Sequence, residues 1–151
     1  MGAKIACPDT PVVGFSGDGA FGIAVTELTA IGRPEWPAIT HVVFRNYQWG
    51  AEKRNSTLWY DDNFVGTELD TQVSYAGIAR ACGLQGVVAH TMEELRAALT
   101  KAIEDQMVHG KTTLIEAMIN QELGEPFRRD AMKKPVEVAG ISAADMRPQV
   151  V

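Results

Sequence analysis

The sequence predicts an α/β fold: a parallel sheet covered by helices on both faces. Three observations carry this expectation. Short apolar runs alternate with segments of helical spacing along the chain. The runs are almost continuously hydrophobic, as strands buried on both faces are. The first two runs end on compact polar groups, at the strand edge where open α/β sheets bind their ligands.

The elements follow in order. Met1-Gly2-Ala3-Lys4 reads as the tail of an amphipathic helix. Val12 to Ser16 reads as the first strand, with the Pro11–Phe15 run leading into Gly17-Asp18-Gly19. Ala20 to Ile31 has helical character, so its first amides would face the same edge. Gly32-Arg33-Pro34-Glu35-Trp36-Pro37 is a breaker cluster, each proline limiting its neighbour. Ile39 to Phe44 reads as the second strand and leads into Arg45-Asn46-Tyr47-Gln48. Tyr47 to Leu69 is mixed and rich in aromatics, Asp and Asn, and long irregular segments of this kind are often functional. Ser74 to Cys82 reads as a helix stopped by Gly83. Gly86 to Ala89 is a short strand. Thr91-Met92-Glu93-Glu94 matches a capping box. Leu95, Ala98, Leu99, Ala102, Ile103 and Met107 then follow helical spacing up to Gly110. Thr112 to Ile119 is the last strand. Pro126, Pro135 and Pro148 mark an extended tail, so the expected organisation is one domain over 1–123 and a tail over 124–151.

Composition narrows the function classes. The 151 residues are enough for one domain with a core. Hydrophobic content of 46% and charged content of 22% are ordinary for a globular protein. A net charge of −5 argues against general nucleic-acid binding. No apolar run approaches the roughly 20 residues of a membrane span, and no leader pattern is visible. Cys7 and Cys82 are too few for a disulfide framework and read as small buried hydrophobes in a cytoplasmic setting. His41, His90 and His109 show no ligand spacing and are assigned no chemistry.

The chemistry sits in the two polar groups. Gly17 and Gly19 allow tight backbone geometry and close approach of a ligand. Asp18 and Asn46, at neighbouring strand ends, can hold one hard cation, with the main-chain carbonyl of Gln48 as a third oxygen. Mg²⁺ takes one or two carboxylates together with substrate phosphates, and a helix N-terminus favours phosphate oxygens. Asp18 alone would repel them; the cation reverses the sign. A rival pattern, Gly17-x-Gly19-x-x-Gly22, fits a dinucleotide fingerprint, with Arg45 suited to the 2′-phosphate of NADP. Asp18 beside the pyrophosphate counts against it, and no Gly-Lys-Ser/Thr follows for a P-loop. Plainer readings stand beside these. Asp18 can be a helix cap and Asn46 a turn residue. Glu52, Lys53 and Arg54 read as a solvated or interface cluster, and Arg128 with Arg129 as an exposed pair. Arg45 suits an anionic substrate or phosphate, or a carboxylate inside the loop. Trp36, Trp49 and Trp59, with Tyr47 and Tyr60, suit either a subunit interface or the core.

Gly17-Asp18-Gly19 followed by Asn46 resembles the diphosphate and Mg²⁺ motif of thiamine-diphosphate enzymes. That motif usually ends in two asparagines; Arg45 holds the first place here. Two longer stretches, Val43 to Asn55 and Glu122 to Ala131, resemble the sulfoacetaldehyde acetyltransferases of that family, and the likeness runs from Gly2 to about Gln149. The resemblance implies a thiamine-diphosphate-binding fold and a transferase reaction in taurine degradation. In it sulfoacetaldehyde and phosphate give acetyl phosphate and sulfite, with thiamine diphosphate and Mg²⁺ as cofactors. It implies Asp18, Asn46 and Gln48 as the metal ligands. It places Gly17, Gly19, Ala20 and Phe21 against the diphosphate, and it places an active-site acid near Glu52. It further implies a homo-oligomer, and a pyrimidine-binding domain that this length does not hold. The expectation is therefore a fragment or one part of a split enzyme, inactive as a lone chain. The competing expectation is a non-catalytic subunit that completes a site on another chain.

Overall fold

A computed structural model describes residues 1–122; the expected tail, with Arg128 and Arg129, lies outside the described residues. The elements run α1 (Gly2–Ala6), β1 (Val13–Gly17), α2 (Asp18–Ile23), a 3₁₀ turn (Val25–Glu27), α3 (Leu28–Ile31), β2 (Thr40–Arg45), α4 (Gly50–Trp59), α5 (Tyr75–Ala81), β3 (Gln85–Ala89), α6 (Met92–Val108) and β4 (Thr113–Met118). They divide into two compact units. One comprises Met1–Gln48 with Leu69–Gln121; the described residues of the other are Trp49–Glu68 and Glu122.

The first unit holds the sheet. Its four strands are all parallel and lie in the order β1-β2-β4-β3. Gly17 pairs with Phe44, and Arg45 with Met118. That register sets the carboxyl ends of β1 and β2 side by side, so the residues following each strand emerge together. Val43 and Leu114 point to one face, under α2, α3 and α5. Val42, Ile115 and Ala117 point to the other, under α6. Val42, Val43, Leu114 and Ile115 are at most 1% exposed, and side chains of this size contribute about 1.5–3 kcal/mol each when fully buried.

Local chemistry sets most boundaries. Ser74 caps α5 by accepting from the Gly77 N–H, and Thr91 caps α6 by accepting from the Glu94 N–H at 3.1 Å. Glu94 reaches back to the His90 N–H at 2.7 Å, one residue beyond the expected box. Gly83, with φ of +81°, ends α5 in the left-handed region that glycine enters without penalty. Gly86 is needed for another reason. A Cβ there would stand 2.0 Å from the Ala76 carbonyl oxygen, so its absence is what lets α5 lie against β3.

Three expectations are corrected. The segment Ala20 to Ile31 is not one helix: helical structure starts at Asp18 and breaks at Ala24 (φ −108°, ψ 15°). Gly22, Val25 and Thr26 are weak helix formers, and Gly22 lies against the Tyr75 hydroxyl, where a Cβ would stand 2.7 Å away. The mixed segment Tyr47 to Leu69 contains a full helix, α4. Cys7 is exposed, not buried, while Cys82 is half-buried and packs against the core.

In the second unit, the Trp49 N–H donates to the Thr67 carbonyl at 2.7 Å, closing the segment that contains α4. Lys53 pairs with Glu68 and lies over the Phe64 ring. Asp61 and Asp62, both at positive φ, turn the chain after the helix.

Candidate functional site

The Asp18 side chain is fixed from one side. It is 1% exposed, at the first position of α2. Its Oδ2 accepts from the Tyr47 N–H at 2.7 Å and the Asn46 N–H at 3.2 Å, and meets Arg45 Nη1 at 3.4 Å. Tyr47 supplies the geometry. Its φ of +60° is a left-handed turn that costs a non-glycine residue about 1–3 kcal/mol. The turn aims two successive N–H groups at one carboxylate oxygen.

The other carboxylate oxygen looks into the site. Asp18 Oδ1 accepts from the Gly19 N–H at 3.0 Å. It also stands 3.3 Å from the carboxamide oxygen of Asn46, which is itself 3.2 Å from the main-chain oxygen of Gln48. Two acceptors and one carboxamide thus converge. Turned by half a revolution, the Asn46 amide would donate to Asp18 Oδ1 and Gln48 O and accept from Gln48 Nε2 at 3.2 Å. The side chain has two arrangements: nitrogen inward, satisfied by its neighbours, or oxygen inward, needing a cation. Gln48 is 2% exposed; its Nε2 donates to the Gln121 carbonyl at 2.9 Å, and its Oε1 is buried without a partner.

Behind this face lies a buried charge network. The Arg45 side chain is 1% exposed. Its Nη2 donates to the carbonyls of Asp70 (2.7 Å) and Val73 (2.9 Å). Its Nε stands 3.4 Å from Glu116 Oε1, an ion-pair contact too poorly aligned to be a hydrogen bond. The rings of Tyr47 and Tyr75 lie 4.3 and 4.8 Å from the guanidinium carbon. Glu116 Oε2 accepts from Ser74 Oγ and the Ala76 N–H, both at 3.0 Å, and the Tyr75 hydroxyl donates to the Asp18 carbonyl at 3.0 Å. Burial, ahead of its charged neighbours, pushes the Tyr75 phenol above its ordinary range. One cation among two carboxylates leaves a formal excess of one negative charge. A buried site tolerates such an excess poorly unless a further cation balances it.

Asp18, Asn46 and Gln48 are therefore brought together at the carboxyl ends of β1 and β2. Gly17 is extended (φ −73°) with open space where a Cβ would stand, so close approach, not backbone strain, is the use of glycine there. The Gly19 N–H is engaged by Asp18, while Ala20 is exposed and Phe21 packs edge-on to Tyr75 at 5.2 Å. Glu52 is exposed in the first turn of α4, in the other unit. Arg45 is engaged by carboxylates and carbonyls, not free for an anion, so the carboxylate-pairing alternative is the one the fold builds. His41 has a partner the spacing did not suggest: its Nε2 lies 2.9 Å from Ser16 Oγ, and burial lowers its pKa. Ser74, Tyr75 and Glu116 were not picked out by sequence. The available signal was Glu116 itself, a charge inside the buried strand Thr113–Met118.

Among the described residues, no group of three or more His, Cys, Asp or Glu is placed to hold a metal. The oxygen cluster here is instead one carboxylate, one carboxamide and one main-chain carbonyl. Of two cavities in the sheet unit, one of about 340 Å³ is lined by other residues, and one of about 260 Å³ is lined in part by Ser16, Ala20, Phe21 and His41. No described helix is long and apolar enough to cross a membrane.

Residues 1–117 match the family model described as thiamine pyrophosphate enzyme, C-terminal TPP binding domain. The chain is 85% identical over 149 residues to a sulfoacetaldehyde acetyltransferase of Rhodobacter capsulatus, covering 99% of this chain and 25% of that protein. It is 83% identical over 151 residues to the enzyme of the same name from Roseovarius nubinhibens, covering 100% of this chain and 25% of that one. The chain thus spans about a quarter of the length of these curated relatives. The structure resembles benzoylformate decarboxylase from Polynucleobacter necessarius with a TM-score of 0.66 and 24% identity, over 82% of this chain and 22% of that one, a likeness of fold.

Proposed function

Because this chain belongs to the thiamine pyrophosphate enzymes, through their C-terminal TPP binding domain, we propose that Asp18, Asn46 and the Gln48 carbonyl hold a Mg²⁺ that anchors the cofactor's diphosphate. The observation that carries this reading is the convergence of Asp18 Oδ1, the Asn46 carboxamide and the Gln48 main-chain oxygen, with the carboxamide 3.2–3.3 Å from the other two and able to turn its oxygen inward to a cation. Adjacent ligands of an octahedral Mg²⁺, bound at about 2.1 Å, stand about 3.0 Å apart. The buried excess of negative charge has the matching sign. Ala20 and Phe21 amides at the start of α2, beside open space at Gly17, lie toward the same edge and are assigned to the phosphate oxygens. When bound, thiamine diphosphate supplies the carbanion chemistry; the protein supplies position and electrostatics.

The names of the close relatives support a finer reading. In this reading the chain is the diphosphate-binding part of an acetyltransferase that makes acetyl phosphate and sulfite from sulfoacetaldehyde and phosphate, as in taurine degradation. A pyrimidine-binding domain or subunit completes the site, within a cytoplasmic homo-oligomer. Glu52 is retained as an active-site acid on resemblance alone. The NADP alternative loses its footing, since Arg45 is buried with both terminal nitrogens engaged by Asp18 and by the Asp70 and Val73 carbonyls. Calorimetric titration of this chain with thiamine diphosphate and with NADP, each with and without Mg²⁺, tests the assignment. Uptake of the thiamine compound only in the presence of metal is expected; metal-independent uptake of NADP would replace this reading with the dinucleotide one.

A further inference from the structure

Arg45 stands where the family motif usually places an asparagine, and the difference has structural reach. An asparagine ends too soon to span from β2 to the 70–73 segment. The guanidinium does span it, and its contacts divide by direction. Toward the site, Nη1 meets Asp18 Oδ2 at 3.4 Å. Away from it, Nη2 holds two carbonyls, those of Asp70 and Val73, at 2.7 and 2.9 Å. Below, Nε faces Glu116, whose second oxygen holds Ser74 Oγ and the Ala76 N–H. The residues Asp70 to Val73 are themselves exposed. A backbone segment on the surface is thus tied by a side chain that is not.

We propose that Arg45 is a positioning residue that couples the cation site to the 70–76 segment, fixing Asp18 with Oδ1 toward Asn46 and Gln48 while holding the Asp70 and Val73 carbonyls. The proposal rests on the metal reading above. It assigns Arg45 no contact with substrate: the side chain is 1% exposed and works through Asp18 and the backbone. Its chemistry is specific to a planar group with several donors in fixed directions. Lysine keeps the charge but has one nitrogen, which cannot meet Asp18, two carbonyls and Glu116 at once.

The test uses Arg45→Lys, Arg45→Asn, and Arg45→Asn combined with Glu116→Gln, which restores the charge balance should the single asparagine variant fail to fold. Thermal melts establish which variants are folded. Two readouts follow: Mn²⁺ affinity by electron paramagnetic resonance with thiamine diphosphate present, and amide hydrogen exchange of the peptide covering 70–76 without metal. The folded variants are expected to bind Mn²⁺ about 10- to 100-fold more weakly, the range for partners that orient a metal ligand. They are also expected to exchange faster across 70–76 than wild type, with Lys failing to rescue either effect. Folded variants with wild-type Mn²⁺ affinity or wild-type exchange at 70–76 overturn the coupling. Full rescue by lysine overturns it too, because charge alone would then suffice. If wild-type protein itself takes up no Mn²⁺, the metal reading fails, and the coupling fails with it, a result distinct from variants that match a binding wild type.

Discussion

The two ends of the parallel sheet bury polar side chains in opposite ways. At the amino ends of the strands, neutral polar groups satisfy one another, and the buried charges Lys4 and Asp105 are met by the Pro8 and Thr10 carbonyls and by Lys101. Gln106 accepts from the Val12 N–H at 2.7 Å and donates to the Val12 carbonyl and to Thr40 Oγ1, both at 2.9 Å. Thr113 donates to Gln85 at 2.8 Å, and Thr112 accepts from the Ile39 N–H at 3.1 Å. At the carboxyl ends, Asp18, Arg45 and Glu116 are buried as charges, and the Asn46 carboxamide lies against Asp18 Oδ1 and the Gln48 main-chain oxygen. The amino end is finished by the fold. The carboxyl end carries one arginine between two buried carboxylates, a formal excess of one negative charge. Neutral buried groups need only a partner each; buried charges need compensation that the protein here does not complete.

That contrast can be broken at either end. The largest effect is expected from Asp18→Asn, which keeps an oxygen for the Tyr47 and Asn46 N–H groups but removes the charge. Mg²⁺-dependent affinity for thiamine diphosphate, measured by calorimetry, should fall more than about 100-fold, since even partners behind the ligands are worth 10- to 100-fold. An affinity within a few-fold of wild type would place the cation elsewhere.

Gln106→Leu should do the reverse. It leaves the Val12 N–H without its partner, while the Val12 carbonyl keeps the Thr40 N–H and the Thr40 hydroxyl keeps the Ala102 carbonyl, so urea unfolding should show a loss of about 1–3 kcal/mol, the cost of one unsatisfied buried group. Cofactor affinity of the folded fraction should be unchanged; a matching fall in affinity would show that the two ends are not independent.

The smallest effect is a pH dependence at His41. Burial lowers its folded pKa, so its contribution is complete above about 6.5, the ordinary imidazole value. Below that, the unfolded chain takes up a proton that the folded chain resists, and stability falls with pH. Urea midpoints between about pH 5 and 8 should slope less in His41→Gln than in wild type. Equal slopes would remove His41 as the cause.

The same division explains what the sequence revealed. Elements set by neighbours along the chain were readable: Thr91 and Glu94 at the start of α6, Gly83 after α5, and the apolar spacing from Leu95 onward. So were Asp18 and Asn46, because each directly follows a strand and parallel register brings such ends together. Helix α4 was missed because its sequence, Gly50 to Trp59, is mostly polar and shows no apolar stripe to count. The break at Ala24 was missed because Gly22 answers to Tyr75, far along the chain. The Arg45–Glu116 contact was unreadable for the same reason: β4 lies beside β2 only in the folded sheet. Sequence thus showed the front of the site, and the fold supplied the buried charges behind it.

The most direct measurement is a crystal structure of the chain with Mn²⁺ and thiamine diphosphate, using the anomalous signal of the metal. The expected result is one Mn²⁺ peak bonded to Asp18 Oδ1, the Asn46 carboxamide oxygen and the Gln48 carbonyl, with the Asn46 oxygen inward. An Asn46 amide turned to donate to Asp18, with bound Mn²⁺ located elsewhere, would contradict the account.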